Sequence, residues 1–323
     1  MKLLFSRILV ASAMALAAPL ALAQAAFPSK PVTLIIPYPP GGSADVLARA
    51  LADRLGKTWN VPVIVDNKTG ANGIVATQSL MRAAPDGYTI LMHLTGVIQN
   101  ASLYKKLPYD PFTDLVPVTQ IGTQVMGLAV SGKSEYKSVS SLVKGLASHP
   151  GKGSYGSFGA GSTGHVFGEV LRSAIGTPLP HVPYRGEGPM TLDLVADRLD
   201  VAFVSSATAV ERSKDGSLQI LAVTGPTRQP ALPNVPTLGE LGFKGFDLVG
   251  WYGLFLPKGT PAAIVDRISA DANAALAQPE MKSRFQQLAI EPRGTSPKQF
   301  ENIMREDFRR WDEVFKRFQI TLE

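Results

Sequence analysis

The chain has 323 residues, with 32 Lys and Arg against 26 Asp and Glu, and no cysteine. That length holds two domains with full-sized cores. The lack of thiols rules out a disulfide framework, and the scattering of basic residues along the chain argues against nucleic acid as a partner.

Met1–Ala26 reads as a secretory signal peptide. Lys2 and Arg7 precede an almost wholly apolar run, Ile8–Leu22, and either Ala21-Leu22-Ala23 or Ala23-Gln24-Ala25 supplies a small-residue cleavage site. A membrane anchor is the rival reading, but the run is short and lacks charged flanks. Without Lys2 and Arg7 the balance is 30 basic to 26 acidic residues, or +4. So mild a positive field would gather small anions.

Val32–Ile36 is a β-branched apolar run and predicts a buried strand. It leads into Pro37-Tyr38-Pro39-Pro40-Gly41-Gly42-Ser43-Ala44-Asp45. Beyond this turn Val46, Leu47, Ala50, Leu51 and Leu55 recur at helical spacing, with Ser43 suited to the N-cap. Glycines let a ligand approach the backbone, and a helix start offers unpaired N–H groups with the positive dipole end. An ordinary βα turn would carry the same residues.

Strand and helix signals then alternate. Val61–Val65 predicts a strand, Ile74 to about Ala83 a helix, and Tyr88–Met92 a strand that leads to His93-Leu94-Thr95-Gly96. This βαβαβ order predicts a mostly parallel sheet with helices on both faces. Thr119–Val130 returns to strand character. A second set begins with helix Val139–Ala147, strand Lys152–Ser157 and the loop Gly159-Ala160-Gly161-Ser162-Thr163-Gly164-His165. A helix Val166–Ile175 and a strand Thr177–Val182 follow, then the turn Pro183–Pro189 and a helix Met190–Ala196. Leu199–Val204, Leu218–Thr224 and the run from Leu248 read as strands. Thr260-Pro261 and Ser296-Pro297 each open a C-terminal helix. The last helix carries the stripe Phe300, Met304, Phe308, Trp311, Phe315 and Phe318, which reads as packing that braces two lobes.

Literal motif matches fail on context. Gly159–Gly164 satisfies G-x-G-x-x-G, but Tyr184-Arg185 stand where the acidic ribose partner belongs, and Glu187 follows a proline turn. Gly127–Ser134 fits the P-loop spacing across what reads as strand. The histidines (His93, His149, His165, His181) lack metal-type spacing, and no metal or cofactor is expected. Ser162 and His165 could pair in an exported enzyme, without an evident acid to orient the base. His165 suits capping or packing, and Asp45 a helix-start charge.

The chain resembles the Bug-type extracytoplasmic solute receptors of tripartite tricarboxylate transporters. The resemblance covers nearly everything after the signal segment. It rests on Phe27–Pro31, Pro37–Asp45, Asp66–Lys68, Gly70–Gly73, Ala84–Thr89, Leu107–Asp110, Gly156–His165 with Gly168-Glu169, Val182–Gly186, Leu232–Thr237 and Trp251–Gly253. It implies a periplasmic, monomeric α/β protein: a two-lobed type II periplasmic binding fold, or Venus flytrap. Residues 27–128 and 249–323 would form lobe I and residues 129–248 lobe II, with strand crossings near Leu128–Val130 and Leu248–Trp251.

In such receptors a carboxylate is held by main-chain amides and hydroxyls of glycine-rich loops. Carried over, lobe I offers Tyr38, Gly41, Gly42, Ser43, Ala71, Asn72 and Thr95. Lobe II offers Ser157, Gly161, Ser162, Thr163, Tyr184, Arg185 and Ser205. The implied partners are a small organic dicarboxylate or aromatic acid and the membrane permease of a tripartite transporter. A sensor role would differ only in the downstream protein. Thr69, Asn72 and Arg185 depart from the family's usual proline, glycine and lysine, and Asn100-Ala101 replaces a common Asn-Pro. Asn72, Gln99 and Arg185 bear on the ligand's distal end.

Overall fold

Alternating strands and helices sort into two sheets in the computed structural model, which describes residues 27–322. The expected signal peptide, Met1–Ala26, lies outside the described residues. The first elements are β1 (Val32–Ile36), α1 (Ser43–Trp59), β2 (Val63–Asn67), α2 (Ile74–Met81), β3 (Thr89–Leu94) and α3 (Gly96–Leu103). Then come β4 (Leu115–Gln124), β5 (Met126–Ser131), α4 (Val139–Ser148), β6 (Tyr155–Ser157), α5 (Thr163–Ile175), β7 (His181–Pro183) and α6 (Glu187–Val195). The chain ends with β8 (Val201–Ser205), α7 (Ser206–Lys214), β9 (Leu218–Val223), β10 (Gly250–Pro257), α8 (Ala262–Leu276), α9 (Pro279–Gln287), β11 (Glu291–Pro292) and α10 (Pro297–Phe318).

One sheet runs β11-β4-β10-β3-β1-β2 and the other β7-β6-β8-β5-β9. The expected parallel character holds for β2-β1-β3 and for β7-β6-β8. Each sheet also takes in a strand from the crossing segments. β10 is antiparallel to β3 and β4, and β5 is antiparallel to β8 and β9, so both sheets are mixed.

The outward crossing differs from the expected Leu128–Val130. Those three residues lie inside β5, paired with β8 and β9, and the chain changes sheets at Val125 between β4 and β5. Thr119–Val130 reads as strand throughout, and Gln124-Val125-Met126 carries no turn residue at the break, so the sequence does not mark the change. The return passes Val249 into β10. Residues 224–248 stay with the second sheet, where Gly225 N–H donates to Phe246 O at 2.7 Å and Phe246 packs on Phe167 and Phe203.

α10 shows why these residues form the brace expected of them. Ser296 and Gln299 make a reciprocal capping box, and Pro297 occupies the first turn where its missing N–H costs nothing. The helix buries Phe300, Met304, Trp311, Val314 and Phe315. Phe300 meets Trp251 of the first lobe edge-on at 5.1 Å between centroids, and Trp311 meets Phe167 of the second at 5.5 Å. Phe308 and Phe318 are only half-buried.

Three helices go unread in the sequence, α3, α7 and α9. α7 and α9 are short and polar, and α3 is short and buries Gln99 and Asn100 along with its apolar residues, so none carries a clean apolar stripe. α5 and α6 begin three residues earlier than periodicity indicates, because their first turns are built from glycine and capping residues rather than from core side chains.

Candidate functional site

The start of α1 forms one wall of a cavity of about 650 Å³ between the lobes. Gly41, at φ +88°, turns the chain, and extended Gly42 is the N-cap. Ser43 is therefore the first helical residue rather than the cap expected from the sequence. No side chain caps α1, so the amides of its first turn stay available.

Asp45 holds this turn in place. Its Oδ2 accepts from Gly41 N–H at 3.0 Å and Arg49 Nε at 2.9 Å, and its Oδ1 accepts from Asn67 Nδ2 at 3.0 Å. Burial alone would raise the Asp45 carboxyl, but the hydrogen bonds from Arg49, Asn67 and Gly41 hold it below the usual range. The charge is structural.

Tyr38, Leu94, Gln124, Tyr252 and Leu288 complete the first-lobe wall. Tyr252 Oη donates to Gln124 Oε1 at 2.9 Å. Burial pushes the Tyr38 phenol well up, and its hydroxyl has no hydrogen-bond partner among the described residues, which leaves it as a neutral donor on the wall.

The opposing wall comes from Met126, Phe158, residues 185–189, Thr191, Leu192, Ser205, Ala207, Thr208, Glu211 and Arg212. Arg185 is exposed, and among the described residues it has no carboxylate within ion-pair distance. Glu187 opens α6, and its Oε1 accepts from Ser205 N–H. Ser205 Oγ accepts from Thr208 N–H at 3.3 Å, so both groups of Ser205 are engaged at the start of α7.

Of the residues named from the sequence, Tyr38, Gly41, Gly42, Ser43, Arg185 and Ser205 share this cavity. The others lie outside its lining. Ala71 and Asn72 sit in a left-handed turn, with Asn72 Nδ2 donating to Gly161 O of the other lobe at 2.8 Å. Thr163 Oγ1 donates to Gln99 Oε1 at 3.3 Å, again across the lobes. Thr95 Oγ1 accepts from Trp251 N–H at 2.8 Å, Ser157 Oγ meets His181 Nε2 at 2.7 Å, and Tyr184 Oη donates to Asp193 Oδ2 at 2.8 Å.

Ser162 caps α5 by accepting from His165 N–H at 3.3 Å, and His165 Nδ1 accepts from Gly161 N–H at 3.1 Å. The two side chains are spent on the loop and do not bond each other. The α5 start thus meets the first lobe directly, whereas the α1 start meets the cavity. Amides and hydroxyls were expected together with Arg185, and the structure adds the carboxylates Glu187 and Glu211.

Reading by motif missed Gln124, Met126, Phe158, Thr208, Glu211, Arg212 and Tyr252 among the lining residues. Gln124 and Met126 flank the unread crossing, and Thr208, Glu211 and Arg212 belong to the unread helix α7. Glu187 was visible in its turn, but only as a failed ribose partner.

The profile of the family described as "Tripartite tricarboxylate transporter family receptor" matches residues 47–320. The chain is 34% identical over 297 residues to the "UPF0065 protein in tcbD-tcbE intergenic region" of Pseudomonas sp. (strain P51), covering 92% of this chain and 88% of that one. The periplasmic binding protein BugD superposes with a TM-score of 0.87 at 31% identity, over 92% of this chain and 100% of BugD. An R. palustris protein solved with adipate also gives 0.87, at 30% identity, over 91% and 99% of the two chains.

Proposed function

Because the chain belongs to the tripartite tricarboxylate transporter receptor family, we propose that it captures a small organic carboxylate between its two lobes and delivers it to a membrane permease. It is a solute receptor and not an enzyme, as are its relatives. The proposed location is the periplasm.

The observation that carries this reading is the uncapped start of α1 on the cavity wall. Its orphan N–H groups and the positive dipole end favour an anion there. Net contacts of about 0.5–1.5 kcal/mol per hydrogen bond suit reversible capture. Ligand contacts made to both walls would favour the closed arrangement over an open one. Tyr38 supplies a neutral donor beside the amides, and Leu94, Met126, Phe158 and Leu288 supply apolar wall for the ligand's body. At about 650 Å³ the cavity admits an acid larger than a four-carbon one, including an aromatic acid.

Isothermal calorimetry of residues 27–323 against a panel of mono-, di- and tricarboxylates and aromatic acids tests the proposal. Saturable binding of at least one acid is the expected result. Silence across the panel, with the protein folded, would overturn it.

A further inference from the structure

Glu187 lines the cavity that the receptor reading assigns to a carboxylate ligand, and a fixed negative charge there is unfavourable for a plain dicarboxylate. Its backbone position is set by Gly186, whose φ of +107° lets residues 185–188 turn against Pro39 of the other lobe. One carboxylate oxygen accepts from Ser205 N–H, which anchors the side chain at the start of α7. Among the described residues no Lys, Arg or His approaches Glu187 within ion-pair distance, although Arg185 is two residues away. Burial raises its pKa, and the neighbouring Ser205 and Thr208 groups lower it by less, so the charge is under-compensated by the protein. Glu211, on the same wall, is exposed and solvated and asks for nothing.

A half-buried carboxylate that the protein leaves without a cation is relieved when the ligand brings one. The start of α1 lies on the facing wall, so the cavity presents amide donors on one side and, between Arg185 and Arg212, the Glu187 acceptor on the other. We propose that Glu187 is a specificity residue that selects carboxylates carrying an amino group, the ligand's ammonium facing Glu187 while its carboxylate faces the start of α1. This rests on the receptor reading and narrows its ligand class from acids in general to amino acids with separated charges.

Calorimetry with matched pairs tests it: 6-aminohexanoate against adipate, and glutamate against glutarate, on the wild-type protein and on Glu187→Gln. The amide keeps an acceptor for Ser205 N–H, so the fold is retained, and circular dichroism checks that it is. In the wild type the amino member of at least one pair should bind 10-fold or more tighter than its dicarboxylate. Glu187→Gln should cut that preference by 10-fold or more. Equal or tighter dicarboxylate binding by the wild type, or a preference that Glu187→Gln leaves intact, overturns the assignment while the receptor reading stands. If no acid binds at all, the receptor reading fails with it.

Discussion

Asn72 Nδ2 donates to Gly161 O at 2.8 Å, joining a left-handed turn of the first lobe to the glycine loop of the second. The same amide nitrogen donates to Asn100 Oδ1 at 2.8 Å, and Asn100 Nδ2 returns a bond to Asn72 O at 3.1 Å. The donor is therefore aimed before the lobes meet. Asn tolerates the φ of +48° that this turn needs better than most residues. Closure here is a polar latch beside the cavity, with Pro39 packed near Gly186 on the far side.

Replacing Asn72 with Gly removes the latch while sparing the backbone, since glycine adopts the left-handed region freely. A net hydrogen bond is worth about 0.5–1.5 kcal/mol, so carboxylate affinity should weaken by roughly 3- to 10-fold. Small-angle scattering should show a larger radius of gyration for the ligand-free variant, with little change in Tm. Unchanged affinity and scattering would mean that the latch does not govern closure.

Acid should destabilise the protein between pH 6.5 and about 4. Burial holds the imidazoles of His93 and His181 down at about 4 and lowers that of His165. The unfolded chain takes up protons at these histidines near pH 6.5 and the folded chain only lower down, so stability is full above that range and falls as pH drops through it. Two half-buried carboxyls work in the opposite direction. Burial raises Asp307 to about 6 and Glu187 above its ordinary value, and their protonation offsets part of the loss. Thermal scans at pH 7 and pH 4.5 should show the lower Tm at 4.5. Asp307→Asn, which keeps an acceptor for Trp251 Nε1, should widen the gap. A Tm that rises on acidification would refute the assignment of neutral buried imidazoles.

Trp311→Ala should cost about 3–5 kcal/mol, the range for large aromatic truncations in a core. The indole is fully buried and touches Phe167 and Phe315, so its loss opens a void where α10 meets the second lobe. Phe308→Ala, half-buried against Phe112, should cost clearly less. Urea unfolding of the two variants gives the comparison. Equal losses would show that α10 does not brace through Trp311.

That brace was legible because a period of three and four residues in aromatic side chains survives any detail of tertiary structure. β1 was legible for a similar reason, as a short β-branched run closed by Pro37. The passage between lobes at Val125 was not, because Gln124-Val125-Met126 carries no turn residue where the chain leaves one sheet and enters the other. The candidate site divided along the same line. Glycine turns announced the start of α1, whose free amides reach the cavity. They announced the start of α5 equally well, and there Ser162, His165 and Asn72 use up the polar groups in contacts between and within lobes. A turn motif shows that a backbone can bind an anion; which partner fills it depends on residues distant in sequence.

The amides of α1 themselves can be tested by removing one. Ser43 is the first helical residue, a position where proline's fixed φ and missing N–H are tolerated, and Gly42 already has the extended backbone that a residue before proline prefers, at φ −77° and ψ 168°. Ser43→Pro should therefore keep α1 and its Tm while deleting one N–H from the cavity wall. Ser43→Ala deletes the hydroxyl and keeps the amide, which separates the two contributions. If the carboxylate sits at this helix start, Ser43→Pro should weaken binding by about 10-fold or more, in line with the 1.5–3 kcal/mol of a hydrogen bond to a charged group. The loss in Ser43→Ala should be smaller. Wild-type affinity in Ser43→Pro, with the helix intact by circular dichroism, would place the carboxylate elsewhere in the cavity.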